Sequence, residues 1–246
     1  MFSFFQKKTA LTSVFTSDFV DIHSHFLPNI DDGSKSMDES VALLKRMRGY
    51  GIKQIICTPH VMESVWENSS ETIQRQLDSL NAHLKSIAFT DISIRAAAEY
   101  MLDANFDHLL KTEKLRPLKD NYILVELSFL NPPVNLYETL FNMQIAGYKP
   151  VLAHPERYPY LHNDFSAYKK LKDAGCLFQL NLLSLTNYYG SAINAVAQEL
   201  LKHGLIDFAG TDTHKLHHLD FLEKGIDKKV LKLIEPVLKA NAFFGE

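Results

Sequence analysis

The chain has 246 residues, which suits one large domain, and its hydrophobic content of 46% allows a substantial core. A net charge of −3 without a basic run argues against nucleic-acid binding, and no apolar segment reaches the roughly 18 residues of a membrane span. Cys57 and Cys176 provide no disulfide framework, so we expect a cytoplasmic protein. We expect one domain over 1–246, with an extension at 1–17 whose first residues are frayed.

The first predicted strand ends in the motif Asp21-Ile22-His23-Ser24-His25. Residues two apart on a strand point to the same face, so His23 and His25 are directed to one side together. Two adjacent imidazoles are costly to bury unless something binds them, and a metal ion is the commonest such partner. One His-x-His pair is weak evidence, but similar residues recur along the chain.

Short apolar strands alternate with helices over the rest of the sequence. Strands are predicted at 53–57, 92–99, 122–127, 150–153, 176–181 and 205–209, several of them directly after a glycine that ends a helix. Helices are predicted from Ser36, which forms a capping box with Glu39, over 73–87, from Asn135, from Ser166, over 193–200 and after His214.

This alternation is typical of a parallel barrel or of a doubly wound sheet. Both architectures bind ligands at the C-terminal ends of their strands. Residues from seven strand ends converge on one point only if the sheet closes. We therefore expect an α/β barrel of about seven strands.

Most of these strands end next to a residue that can bind a metal ion. The set is His23, His25, His60, Glu99, Glu126, His154, Asp212 and His214, with Asp31 or Asp32 from the loop after the first strand. Nitrogen and oxygen ligands suit manganese, iron, zinc or nickel, and this number is enough for two or three ions. Each residue alone is more often an ordinary hydrogen-bonded or ion-paired group. Their recurrence at matching positions predicts a metal centre.

Arg157 follows His154 by three residues. A guanidinium beside a cationic metal cluster indicates that an anion lies between them, and phosphate is the anion that arginine binds best. The alternative is an ion pair with Glu156 or another acid.

The motifs together resemble those of a known family. They are Asp21–His25, Ile30–Gly33, Cys57–His60, Ala98–Glu99, Leu124–Glu126, Ala153–Tyr158 and Gly210–His214. In this order, and over about residues 19 to 215, the chain resembles the PHP (polymerase and histidinol phosphatase) superfamily. Within it the chain is similar to the bacterial capsule-type tyrosine-protein phosphatases of the CpsB/YwqE group.

The resemblance implies a distorted (β/α)₇ barrel of the PHP type, with a three-metal, typically manganese, site at the C-terminal ends of the strands. It assigns one ion to four residues: His23, His25, Glu126 and Asp212. Glu126 would bridge to a second ion, which His154 also binds. The other ligands would be His60, Glu99, His214 and Asp32, with the adjacent Asp31 as the alternative.

The resemblance also gives Arg157 the role of binding the phosphoryl group. The family's second arginine, expected a few residues past the last Asp-x-His, is absent here. Lys215, His217 and His218 occupy that region instead. His217 and His218 are therefore candidate proton donors to the leaving group.

The hypothesis that follows is metal-dependent hydrolysis of phosphotyrosine by a metal-activated hydroxide. Two or three divalent ions are expected, manganese first, with iron or zinc as alternatives. The implied substrate is the tail of a bacterial tyrosine kinase in capsule or exopolysaccharide regulation. Cysteine-based chemistry is excluded, because it needs an arginine six residues after the cysteine and those positions hold Glu63 and Leu182.

Three alternatives remain open. The first is a small-molecule phosphomonoesterase with the same metals, similar to histidinol phosphatase, which only the shape of the pocket would separate. The second is a non-catalytic metal-binding scaffold, which predicts a damaged ligand set, whereas every ligand position is intact. The third is an amidohydrolase, which usually requires a bridging lysine late in the barrel. The oligomeric state cannot be predicted from the sequence.

Overall fold

The computed structural model describes residues 8–112 and 115–246. Its strands are β1 (Thr9–Ala10), β2 (Val20–Asp21), β3 (Gln54–Cys57), β4 (His60–Val61), β5 (Ser93–Ala96), β6 (Glu99–Met101), β7 (Tyr122–Glu126), β8 (Lys149–Ala153), β9 (Leu177–Asn181), β10 (Phe208–Gly210) and β11 (Gly225–Ile226). Its α-helices are α1 (Met37–Gly49), α2 (Ser70–Ser86), α3 (Ala104–Thr112), α4 (Leu136–Ile145), α5 (Phe165–Asp173), α6 (Ser191–Lys202), α7 (Leu216–Leu222) and α8 (Lys228–Ala240). The predicted alternation of helices and strands is confirmed.

The parallel strands form two sheets, one in the order β10-β9-β8-β7-β6-β4 and one in the order β2-β3-β5. The chain passes from β3 to β4 and from β5 to β6 through only two residues each. The predicted strand 92–99 is thus interrupted, and Glu99 begins β6 rather than ending the strand. Backbone bonds from Ala97 to Cys57 and from Glu99 to Pro59 continue the pairing across the break. Glu99 therefore stays level with His60, its register partner.

The residues that follow β2 also contact those that follow β10. Ser24 and Thr213 form a parallel bridge. The amide of His25 donates to the carbonyl of Thr213 at 3.0 Å, and that of Asp212 donates to the carbonyl of His23 at 2.8 Å. The fold is a mixed α/β arrangement in which the outer strands of the two sheets meet at their C-terminal ends.

Two apolar clusters hold these elements together. The larger lies between helices and strands and includes Ile73, Leu77, Leu80 and Leu84 of α2, all buried. The same spacing of apolar residues also predicts a buried Ile87, but Ile87 follows the end of α2 and is 42% exposed. The smaller consists mainly of strand residues that face one another, including Val20, Ile56, Leu124, Val151 and Phe244. Side chains of β2, β3, β7 and β8 thus meet on the face away from the helices.

The helix ends differ from prediction in detail. Ser36 accepts from the Glu39 amide as expected, but Glu39 accepts from Lys35, so the capping box is incomplete. Asn135 makes no side-chain cap and donates to Asp107 instead. Helix α5 begins one residue before the predicted Ser166.

The N-terminal extension packs against the domain over part of its length. Strand β1 pairs antiparallel with β11, and Leu11 is fully buried. The fraying predicted for the first residues falls mostly on 1–7, which lie outside the described part. Among the residues described, no helix has the length and apolarity needed to cross a membrane.

Candidate metal centre

The candidate ligands lie at one edge of the parallel strands. His23 and His25 follow β2, Glu126 ends β7, His154 follows β8, and Asp212 follows β10. His154 and Asp212 have positive φ angles of 36° and 48°, a region that costs most side chains free energy. Such strain is common at functional sites, and here it accompanies two residues that point into the same cluster.

The structure brings all nine predicted ligands into groups whose nitrogen and oxygen atoms lie within 4.8 Å of one another. The groups are His25-Asp32-His60-His214, His23-His154-Asp212, His23-His25-Glu99 and His60-Glu99-Glu126. Because the groups share members, they form one continuous cluster. Its size is consistent with more than one ion.

The grouping differs from the one that the resemblance implied. Glu126 lies with His60 and Glu99 rather than with His23, His25 and Asp212. Glu99 belongs to two groups, with Oε2 3.1 Å from His23 and Oε1 3.1 Å from His154. Glu99 is thus the carboxylate that the two groups share, while Glu126 belongs to one of them.

Asp31 and Asp32 have separate positions. Asp31 is buried and accepts from Nδ1 of His25 at 2.7 Å and from the Gly33 amide at 2.8 Å. The Asp32 side chain is 57% exposed, with Oδ1 3.5 Å from Nε2 of His60 and 3.4 Å from Nε2 of His214. This geometry favours Asp32 as the ligand and Asp31 as the residue that orients His25.

The donor atoms fit a cation. Nδ1 of His60 and Oε1 of Glu126 are buried at an ion-pair distance of 2.9 Å, yet neither atom makes a well-formed hydrogen bond within the described chain. Buried polar atoms without a well-formed hydrogen bond are costly, whereas imidazole nitrogen and carboxylate oxygen are both good ligands for divalent ions. The two atoms are therefore placed as ligands would be.

The electrostatics of the cluster also favour bound positive charge. Burial opposes the imidazolium form of His23, but the Glu99 and Asp212 carboxylates outweigh it and raise its pKa. Burial opposes charge on Glu99 as well, yet the imidazoles of His23 and His60 lower its pKa well below the usual range. Burial and the neighbouring Glu99 raise the pKa of Glu126. Protons or metal ions are needed to balance these carboxylates.

A cavity of about 260 Å³ opens over this cluster. It is lined by Asp32, His60, Glu126, Phe129, His154, Arg157, Tyr188, Tyr189, Asp212, His214, Lys215 and His218. Nη1 of Arg157 is 2.9 Å from Oδ2 of Asp212, so the predicted alternative of an ion pair is realised, with Asp212 rather than Glu156. The guanidinium nevertheless lines the cavity, where an anion can reach it.

Only some of the residues at the position expected for the second arginine line the cavity. Lys215 and His218 line the cavity. His217 reaches it through Tyr188, whose hydroxyl is 2.9 Å from Nε2 of His217 and 3.0 Å from Nε2 of His218. Burial and the nearby His214 lower the pKa of His218 to about 4.

Sequence reasoning missed two supporting residues on β9. Oε1 of Gln179 is 2.8 Å from Nδ1 of His23. Nδ2 of Asn181 donates to Oδ2 of Asp212 at 2.6 Å. Both are fully buried, at alternate positions of an otherwise apolar strand. That period-two polar pattern in a buried strand was the available signal.

Comparisons with known proteins identify the family of the chain. The sequence model of the family described as capsular polysaccharide synthesis, CpsB/CapC, matches residues 19–224. The tyrosine-protein phosphatase CpsB of Streptococcus pneumoniae is 32% identical over 205 residues, which covers 80% of this chain and 83% of that protein.

Two solved structures are similar. One, from the crystal structures of YwqE from Bacillus subtilis and CpsB from Streptococcus pneumoniae, metal-dependent tyrosine phosphatases, has a TM-score of 0.77 at 27% identity, over 89% of this chain and 87% of that one. The histidinol phosphate phosphatase of Lactococcus lactis has a TM-score of 0.52 at 13% identity, over 92% and 94% of the two chains. The second likeness shows a shared fold.

Proposed function

Since the chain belongs to the CpsB/CapC family of capsular polysaccharide synthesis, we propose that it is a metal-dependent protein-tyrosine phosphatase. The observation that carries this proposal is the position of Arg157 on a cavity whose floor is the metal-ligand cluster. A cation cluster and a guanidinium facing one space suit a phosphoryl group.

The ligands would hold two or three divalent ions, for which manganese is proposed, with iron or zinc as alternatives. The nine residues offer only nitrogen and oxygen donors, which suit these metals. When bound, such ions would lower the pKa of water, so that it could act as the nucleophile, and would offset negative charge on the phosphoryl oxygens. The chain itself orients the ligands: Asp31 holds His25, Gln179 holds His23, and Asn181 holds Asp212.

Arg157 would bind the phosphoryl oxygens from the wall of the cavity. Its guanidinium carbon lies 4.8 Å from the Phe129 ring centroid and 4.2 Å from that of Tyr189, and both contacts hold it in place. Lys215 also lines the cavity and would take the place of the absent second arginine as a cation near the phosphate.

The leaving group requires little acid assistance, because a tyrosine phenolate has a pKa near 10. Of the two histidines proposed to donate a proton, His218 lines the cavity and is the better placed. Because its pKa is lowered to about 4, its imidazole is neutral at neutral pH, so it could donate a hydrogen bond to the leaving oxygen but would be a poor proton donor. The Tyr188 hydroxyl, in contact with both histidines, would link them to the leaving oxygen.

The cysteines support a mechanism without a thiolate nucleophile. Cys57 and Cys176 are buried free thiols, and burial raises the pKa of each to about 12. Neither lines the cavity. Free thiols also support the proposed cytoplasmic location.

A phosphorylated protein segment is the substrate we propose, specifically the tyrosine-rich tail of a bacterial tyrosine kinase. The rim of the cavity is open, since Asp32 is 57% and Phe129 41% exposed. A tyrosine side chain on an extended tail can enter such a site. The relatives named as tyrosine-protein phosphatases support the same substrate class.

We also infer that the strands close into a distorted seven-stranded barrel. β3 continues into β4 and β5 into β6, so the two sheets contribute seven strand positions. The Ser24–Thr213 bridge joins the first of these to the last. The small cluster of inward strand side chains supports closure.

The test is phosphate release from a phosphotyrosine peptide by metal-stripped protein refilled with Mn²⁺. We expect release only with metal, and none from His23→Ala, whereas His108→Ala on an exposed helix position should retain activity. Faster turnover of histidinol phosphate would favour the small-molecule alternative. Metal binding without phosphate release from either substrate would overturn the proposal and leave the scaffold and the amidohydrolase as alternatives.

A further inference from the structure

Three aromatic side chains line the candidate site although metal binding and phosphate binding do not require them. They are Phe129, Tyr188 and Tyr189. Phe129 lies on the loop between β7 and α4, and the tyrosines lie on the segment between β9 and α6. Two separate loops thus bring aromatic rings to the same cavity.

The rings are held in fixed positions. Phe129 stacks on His154 with centroids 5.7 Å apart and contacts Tyr158 at 5.5 Å. Tyr188 packs edge-on against Phe221 at 4.8 Å, and the two histidines hold its hydroxyl. Phe129 remains 41% exposed at the rim of the cavity, and apolar surface in contact with water is unfavourable in free energy. A ring from a ligand could cover that face.

The position of the Arg157 guanidinium also determines how a phosphate ester would lie in the cavity. Phe129 and Tyr189 both lie within 5 Å of the Arg157 guanidinium carbon. A phosphoryl group bound to Arg157 would therefore carry its ester substituent between or beside these rings. An aryl substituent can stack on them, whereas an alkyl chain lacks the flat face that stacking requires.

We propose that Phe129, Tyr188 and Tyr189 form an aryl slot, which selects the phenyl ring of phosphotyrosine over alkyl phosphates. This inference rests on the proposed function and adds the residues that determine its specificity. The competing explanation is that Phe129 and Tyr189 only hold Arg157 by cation–π contacts. The two differ in whether the substituent on phosphorus affects binding.

Non-hydrolysable phosphonates test the slot without turnover. Calorimetry on the full chain refilled with Mn²⁺ would compare phenylphosphonate with butylphosphonate. Both share the phosphoryl contacts, so the ratio of their dissociation constants reports the effect of the substituent on phosphorus. We expect about tenfold preference for the phenyl compound, from stacking of ordinary strength.

The variants separate the two explanations. Phe129→Leu should lower the preference to about twofold or less, and Phe129→Tyr should restore it. Leu130→Ala, at the adjacent residue that is 84% exposed, should match the unchanged protein. A preference near one in the unchanged protein, or one that survives Phe129→Leu, would overturn the slot.

The experiments distinguish failure of the aryl slot from failure of the proposed function. Hydrolysis of phosphotyrosine peptide without an aryl preference removes the slot and leaves the phosphatase. An aryl preference without any phosphate release keeps the slot as a binding site and removes the phosphatase.

Discussion

Adjacent residues in this site have different chemical environments. Asp31 is buried against His25 and the Gly33 amide, whereas Asp32 reaches outward toward His60 and His214. The turn at Asp31-Asp32-Gly33 leaves the first carboxylate buried and the second exposed. Gly33 is needed there, because a Cβ would lie 2.3 Å from the carbonyl oxygen of His25.

Asp31→Asn should weaken metal binding by about 10- to 100-fold, because the charged oxygen that orients His25 is lost. Titration of the metal-free protein with Mn²⁺ measures the effect. Asp78→Asn, on the exposed side of α2, is the matched control and should bind as before. Equal affinities for the two variants would show that Asp31 does not support the site.

At the scale of elements, close contact between strands sets the position of the ligands. Gly210 ends β10 beside His23, and a Cβ there would lie 2.5 Å from Cβ of His23 and 2.9 Å from Nε2 of Gln179. The absence of a side chain lets β10 approach β2 closely. His23 and Asp212 then belong to one group of ligand atoms.

Gly210→Ala should force these strands apart and cost about 1–3 kcal/mol in the free energy of unfolding. Metal content should fall with it, since His23 must move. Gly49→Ala is the control, because space at the end of α1 is open and alanine favours the helix by up to about 1 kcal/mol. Urea unfolding and metal analysis of both variants provide the comparison, and an unaffected Gly210→Ala would contradict this account.

At the scale of the whole molecule, one buried side chain joins β2 to β10, the outer strands of the two parallel sheets. Asn241, after α8, donates to the carbonyls of Val20 at 2.8 Å and Ala209 at 2.6 Å. It also accepts from the Ala209 amide at 3.0 Å. These bonds connect β2 and β10 below the Ser24–Thr213 bridge. The C-terminal segment therefore stabilises the contact between β2 and β10, next to which His23 and Asp212 lie.

Asn241→Ala should destabilise the protein by about 2–4 kcal/mol, because three buried backbone groups lose their partner. Metal affinity should fall too, since His23 follows β2 and Asp212 follows β10. Asn142→Ala on α4 is the control, and denaturant unfolding is the measurement. A loss below about 0.5 kcal/mol would mean that water or neighbouring groups replace these bonds.

The local pattern of the sequence determined the alternation of helices and strands and the residue types at the strand ends. The spacing of apolar residues and the glycines that end helices depend on neighbours within a few positions. Both can therefore be recognised without knowledge of the fold. The motifs at those ends also identified the family. His23 and His25 follow from the alternation of a strand alone.

The tertiary structure decided which residues meet. Glu99 rather than Glu126 is shared between groups because the break before β6 sets the register of Glu99 with His60. Asn181 supports Asp212, and Phe129 faces Arg157, across loops far apart in the chain. Such contacts depend on strand pairing and on side-chain direction after a turn, and no local pattern of residues encodes either.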